Sequence, residues 1–215
     1  MRILKSATLG VALLGVSMWS VGLTAQGNMV QTHIGHVMDA FNGTPMNMGL
    51  LPTAMAEARI AAQHAGLAAK STTLAMIQTH AGHVINTIDP AIVAQGPGLG
   101  YGVKKAAMGA ATHADFAGKA PEANAGVKTH SMHVNAAATN VATMSDAVVA
   151  IAQKIRASTS MEEALMLAAQ MQAMAEQLTS GVDADKNGSI GWDKPEGGLM
   201  QAQQHMGLMK TAAGS

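Results

Sequence analysis

Cysteine is missing from the chain altogether. That excludes disulfides, thiolate zinc sites, iron–sulfur clusters and covalent attachment of c-type haem. Aromatic residues make up only 2% of the 215 residues, so other side chains must supply the bulk of any core. Charge is scarce as well: Asp, Glu, Lys and Arg are 12% of the chain, and 13 basic residues balance 13 acidic ones. Such balance excludes charge-driven disorder, and it leaves no basic field to attract nucleic acid. Beyond the N-terminal segment, no apolar run is long enough to span a membrane. What is abundant is glycine (23), methionine (18) and histidine (9).

Residues 1–27 read as a secretory signal rather than as part of the fold. Arg2 and Lys5 form a positive n-region, Ala7 to Leu23 an apolar h-region, and Ala25-Gln26-Gly27 a small-x-small cleavage site. The alternative is an uncleaved N-terminal anchor, because the apolar run approaches spanning length. The expected location is periplasmic or secreted, with no membrane association after cleavage. The expected organisation is a signal over 1–27, a histidine-repeat helical bundle over 28–158 and a helix–loop–helix with a calcium-type loop over 159–215.

An internal repeat organises the remainder. Gln31-Thr32-His33-Ile34-Gly35-His36-Val37 returns as Gln78-Thr79-His80-Ala81-Gly82-His83-Val84, and again as Lys128-Thr129-His130-Ser131-Met132-His133-Val134. A second element, His64-Ala65-Gly66-Leu67-Ala68-Ala69-Lys70, matches His113-Ala114-Asp115-Phe116-Ala117-Gly118-Lys119. Two linked elements recurring in the same order at nearly constant spacing exceed what composition alone produces. In the third copy Val148 to Lys154 occupies the second element, with valine where histidine stood, and Asn135 to Arg156 has no Gly or Pro break. That copy predicts one long helix without its own partner histidine.

The pattern predicts an all-α fold, an antiparallel helical bundle of repeated helix hairpins ending in an EF-hand-like helix–loop–helix. Ala and Met dominate, and apolar positions such as Met55, Ala58, Ala62, Ala65 and Ala69 follow a helical period. Asn42-Gly43-Thr44-Pro45, Asp89-Pro90 and Gly96 to Gly100 mark joints, while Ser71-Thr72-Thr73 and Pro121-Glu122 read as turns or helix starts. Ser160 to Leu178 is a strong helix, with Ser160 or Thr159 as cap and Glu162 and Glu163 in its first turn. Gly197 to Lys210 resumes a helical pattern.

Histidines three apart on a helix share a face, so each Thr-His-x-x-His-Val directs two imidazoles to one side, close enough to chelate one ion. In a hairpin the start of one helix lies beside the end of the next. On that rule His64 completes the site of His33 and His36, and His113 that of His80 and His83. The third pair, His130 and His133, has no partner in its own copy and must borrow one, His205 being a candidate, although a lone histidine of that kind reads first as structural. Imidazole suits copper, zinc, nickel and iron, with copper(II) favoured by intrinsic affinity. Met46, Met48, Met132, Met206 and Met209 offer soft thioether donors, but most methionines, Met166, Met171 and Met174 especially, read as core filler in place of aromatics. The competing reading is that the Thr and His of the repeat merely cap and pack helices.

Asp183, Asp185 and Asn187 alternate before Gly188, Ser189 and Ile190, matching the front half of an EF-hand calcium loop. Position twelve departs from it: Lys194 stands where a bidentate Glu belongs, so Glu196 or Asp193 must close the shell. A turn capping the last helix is the alternative.

The paired histidines and the His-Ala-x-x-Ala-x-Lys elements resemble the repeats of the small histidine-rich metal-binding proteins of bacterial periplasms. The resemblance spans about Gln31 to Lys154. It implies a compact helical bundle that buffers or scavenges copper and other divalent metals. That role would fall on His33, His36, His64, His80, His83, His113, His130 and His133. The chain differs from the family in having fewer histidines per repeat and in its tail from about Ser160 to Lys210.

The function expected from these readings is non-enzymatic: binding of transition metal, copper first, by the histidine clusters, with structural calcium held by Asp183, Asp185, Asn187, Ser189 and Glu196. Metal ions are the expected partners, nucleic acid is not, and no feature identifies a protein partner. Two other classes compete: a b-type haem electron-transfer protein, and a calcium-stabilised structural or interaction module. No catalytic triad, nucleophilic cysteine, phosphate loop or carboxylate pair stands out, although a histidine-ligated metal oxidase stays open.

Overall fold

The computed structural model describes residues 28–214. The signal expected over 1–27 lies outside them. The described residues form an all-α bundle, as the composition and periodicity predict. The helices are α1 (Met29–Met38), α2 (Leu50–Ala69), α3 (Leu74–Ile88), α4 (Val103–Lys119), α5 (Ala125–Ala157), α6 (Met161–Ser180) and α7 (Leu199–Ala212). No helix among the described residues is long and apolar enough to cross a membrane.

The helix starts are set by short polar side chains. Asn28, Thr73, Asn124 and Ser160 each accept a hydrogen bond from the backbone N–H three residues on, satisfying a donor the helix cannot use itself. Three of these caps open the helices α1, α3 and α5, so every His-x-x-His lies on a capped helix. The unbroken third copy is indeed one helix of 33 residues, α5.

Small residues let the helices approach closely. The buried face of α4 is Val103, Ala106, Ala107, Ala110, Ala111, Ala114, Ala117 and Gly118. Gly118 faces Ser131 of α5 so closely that a Cβ there would collide with the Ser131 hydroxyl. Bulk comes from Ile34, Leu50, Leu51, Ile77, Ile85, Ile88, Ile155, Leu178 and Leu199, together with Met171, Met206 and Met209. Methionine therefore does replace aromatics in the core, with Met174 packed at its edge. Met166 departs from that expectation: it is 63% exposed on α6.

The glycine-rich segment between α3 and α4 is fastened by two buried polar side chains. The Glu57 carboxylate, fully buried on α2, accepts hydrogen bonds from the N–H groups of Leu99, Tyr101 and Gly102. Asn86 accepts from the Gly98 N–H and donates to the Val93 carbonyl. Gly96 lies so close to the Asn86 side chain that a Cβ would sit 2.5 Å from it.

α2 packs against α3, and α4 against α5. α1 lies against α4, α6 against α2 and α5, and α7 against α5. Gln31 of α1 donates to the Ala213 carbonyl beyond α7, and Gln78 of α3 donates to the Ser158 carbonyl beyond α5. The glutamines that precede the first two histidine pairs thus cap the ends of other helices.

Candidate metal centres

All nine histidines of the chain gather into three triads: His33–His36–His113, His64–His80–His83 and His130–His133–His205. Each joins a His-x-x-His pair on one helix to a single histidine on another: His64 near the end of α2, His113 in the second half of α4 and His205 midway along α7. Start-beside-end geometry holds where the end of α2 meets the start of α3, but two partners are exchanged relative to expectation. His64 faces His80 and His83, not His33 and His36, and His113 faces His33 and His36, not His80 and His83. The physical reason is local. The turn from Lys70 to Thr73 folds α3 directly back on α2, so His64 meets the pair that follows it. The close Gly118–Ser131 approach then commits the corresponding faces of α4 and α5 to each other, and His113 turns towards α1. His130 and His133 take His205.

The nitrogens converge in the same way each time. His113 Nδ1 lies 2.9 Å from His33 Nδ1 and 3.3 Å from His36 Nδ1. His64 Nδ1 lies 3.0 Å from His80 Nδ1 and 3.3 Å from His83 Nδ1. His205 Nδ1 lies 3.1 Å from His130 Nδ1 and 3.3 Å from His133 Nδ1. A neutral imidazole nitrogen carries either one proton or one in-plane lone pair. Hydrogen bonding can therefore satisfy one such contact at the central nitrogen, and not two. A cation satisfies all three. Nitrogens bound at about 2.0–2.1 Å in tetrahedral to right-angled geometry stand roughly 2.9–3.4 Å apart, which matches these separations. Each triad can hold a metal ion through three Nδ1 atoms.

The electrostatics favour the neutral, ligand-competent form. Burial, reinforced by the charge that neighbouring imidazoles would carry, lowers the pKa values of His33, His64, His80 and His133 below the ordinary histidine value. It brings His113 and His205, each central to its triad, down to about 4. A proton on either would place positive charge against two neighbours in a half-buried site.

The expected thioether donors divide. Met206 and Met209 are buried in the core, while Met46 and Met132 are exposed to 81% and 62%.

A fourth group is carboxylic. Asp183, Asp185 and Glu196, in the loop between α6 and α7, bring one oxygen each within 4.8 Å of the others. Asp183 accepts from the N–H groups of Asn187 and Gly188, and Asp185 accepts from that of Asn187. The Asn187 side-chain oxygen is turned to the Ser189 N–H and hydroxyl. Glu196 is buried, and its carboxylate accepts from the N–H groups of Ala184, Asp185 and Gly191. It reaches into the loop from two residues beyond Lys194. The loop is tied to α5, where Asn140 donates to the carbonyls of Pro195 and Gly197.

His205 is the residue that reading by pairs undervalues. The signal for it is short: Ala202-Gln203-Gln204-His205-Met206-Gly207-Leu208 parallels Ala61-Ala62-Gln63-His64-Ala65-Gly66-Leu67. The third copy of the partner element exists, displaced to the last helix. No protein family, curated protein or solved structure matches the chain.

Proposed function

We propose that this protein is an exported, non-enzymatic metal-binding bundle that takes up transition-metal ions, copper first, one in each histidine triad, for buffering or scavenging. The observation that carries this reading is the threefold convergence of Nδ1 atoms at 2.9–3.3 Å. Three neutral nitrogen donors without thiolate suit copper, zinc or nickel, and copper binds such sets most strongly. Haem is disfavoured by the same distances. Axial imidazoles stand on opposite sides of a porphyrin, roughly 4 Å apart with iron between them, and converging nitrogens leave no gap for the macrocycle.

The Asp183–Glu196 loop is read as a hard-cation site, with calcium bracing the connection to α7. Its support is the sequence pattern together with the grouping of Asp183, Asp185 and Glu196.

The test is stoichiometry. The purified chain is incubated with copper, zinc or nickel, desalted and analysed for metal. Three retained equivalents of copper support the reading, and no stoichiometric ion overturns it.

A further inference from the structure

A bound histidine is ordinarily held in orientation by a carboxylate or carbonyl on its second nitrogen. Here the nitrogen–nitrogen contacts of all nine histidines run through Nδ1. Among the described residues no hydrogen bond holds Nε2, and the χ2 torsion that swings an imidazole is intrinsically broad. Something else must hold the rings.

Aromatic side chains do so in two triads out of three. The described residues contain four aromatics, Phe41, Tyr101, Phe116 and Trp192, and three of them stand against histidines. At the first triad Phe41 meets His36 at 5.5 Å and His113 at 5.1 Å between ring centroids, and Phe116 meets His33 at 5.3 Å and His113 at 5.7 Å. At the third, the Trp192 indole stacks on His133 at 3.8 Å and 15°, with its edge towards His205 at 6.3 Å. Among the described residues the second triad makes ring contacts only within itself.

Resting on the triads as metal sites, we propose that Phe41, Phe116 and Trp192 are positioning residues that make the first and third triads slowly exchanging sites and leave His64–His80–His83 as the site through which ions enter and leave. A ligand set already held in its bound geometry loses less freedom on binding and releases its ion more slowly. The three sites share one donor set, so the difference between them comes from the surrounding rings. In a chain with so few aromatics, their placement is where selectivity between otherwise equal sites arises.

The test follows release of copper(II) from the fully loaded, full-length chain into excess chelator. Two equivalents are expected to leave at least about tenfold more slowly than the third, the size of effect that supporting residues ordinarily have on a metal site. His64→Ala should abolish the fast phase. Phe116→Leu, at a side chain 47% exposed and thus safe for folding, should accelerate one slow phase by about tenfold. Trp192→Leu should accelerate the other, the phase that His205→Ala removes, and Trp192→Phe should restore it by keeping a flat ring. Should Trp192→Leu fail to fold by circular dichroism, Phe116→Leu carries the test. Release of three equivalents at one rate, or slow phases that these variants do not move, overturns the proposal and leaves metal binding standing. Failure to retain copper at all removes the metal reading itself, and this proposal with it.

Discussion

His113 and His33 are 80 residues apart in the chain and bring their Nδ1 atoms to 2.9 Å. That pairing makes one site out of α1 and α4, and it predicts which variants share a phenotype. His33→Ala and His113→Ala should each remove the same single equivalent of copper, and the double variant should remove no more. His64→Ala should remove a different one, shared with His80→Ala. Metal analysis of the four proteins checks this; loss of a common equivalent by His33→Ala and His64→Ala would contradict the pairing.

Acid should destabilise the metal-free protein. The folded pKa values of His113 and His205 are depressed to about 4 from an ordinary 6.5. Between those values the unfolded chain binds more protons, so their contribution to stability is complete above about pH 6.5 and is lost as pH falls towards 4. Melting temperatures of apo protein measured from pH 7.5 down to pH 4 should decline over that window. His113→Ala and His205→Ala should each flatten the decline. Copper affinity should fall in the same direction, because protons compete for the donor nitrogens.

Calcium should raise the melting temperature of the parent, and Asp183→Ala should abolish the rise. Glu196→Gln tests the unusual closure of the loop two residues late: it should weaken the calcium response while leaving copper stoichiometry at three. No calcium response in the parent would return the loop to a plain turn before α7.

Glu57→Ala should destabilise the bundle without touching any triad. It strands the N–H groups of Leu99, Tyr101 and Gly102 beside a new cavity, at a cost of about 2 kcal/mol or more. Denaturant unfolding measures the loss, and copper stoichiometry of the folded variant should be unchanged.

Gly118→Ala should force α4 and α5 apart, because its methyl group would meet the Ser131 side chain. Overpacking of this kind costs roughly 1–3 kcal/mol. α4 carries His113 and α5 carries His130 and His133, so copper release from the first and third triads should quicken while that from the second should not.

Helix content, the cap at Ser160, a turn or helix start at Ser71-Thr72-Thr73, and the projection of each His-x-x-His to one side were legible in the sequence, whereas the caps at Asn28 and Asn124 emerged only from the structure. The legible features depend on hydrogen bonds and side chains within four residues of one another, which spacing alone encodes. The long α5 was legible for the same reason. What spacing did not encode was the partner of each pair. Closing a longer loop costs only slightly more than closing a short one, so nearness in the chain could not choose between His64 and His113. The choice fell to packing: the turn at Lys70–Thr73 closes one triad locally, and the close contact of Gly118 with Ser131 turns His113 towards α1. His205, a candidate from its sequence, joined the third triad because α7 packs on α5. The absence of cysteine and the surplus of histidine thus restricted any transition-metal site to imidazole chemistry, while only the packing of alanine-rich helix faces decided which three imidazoles share an ion.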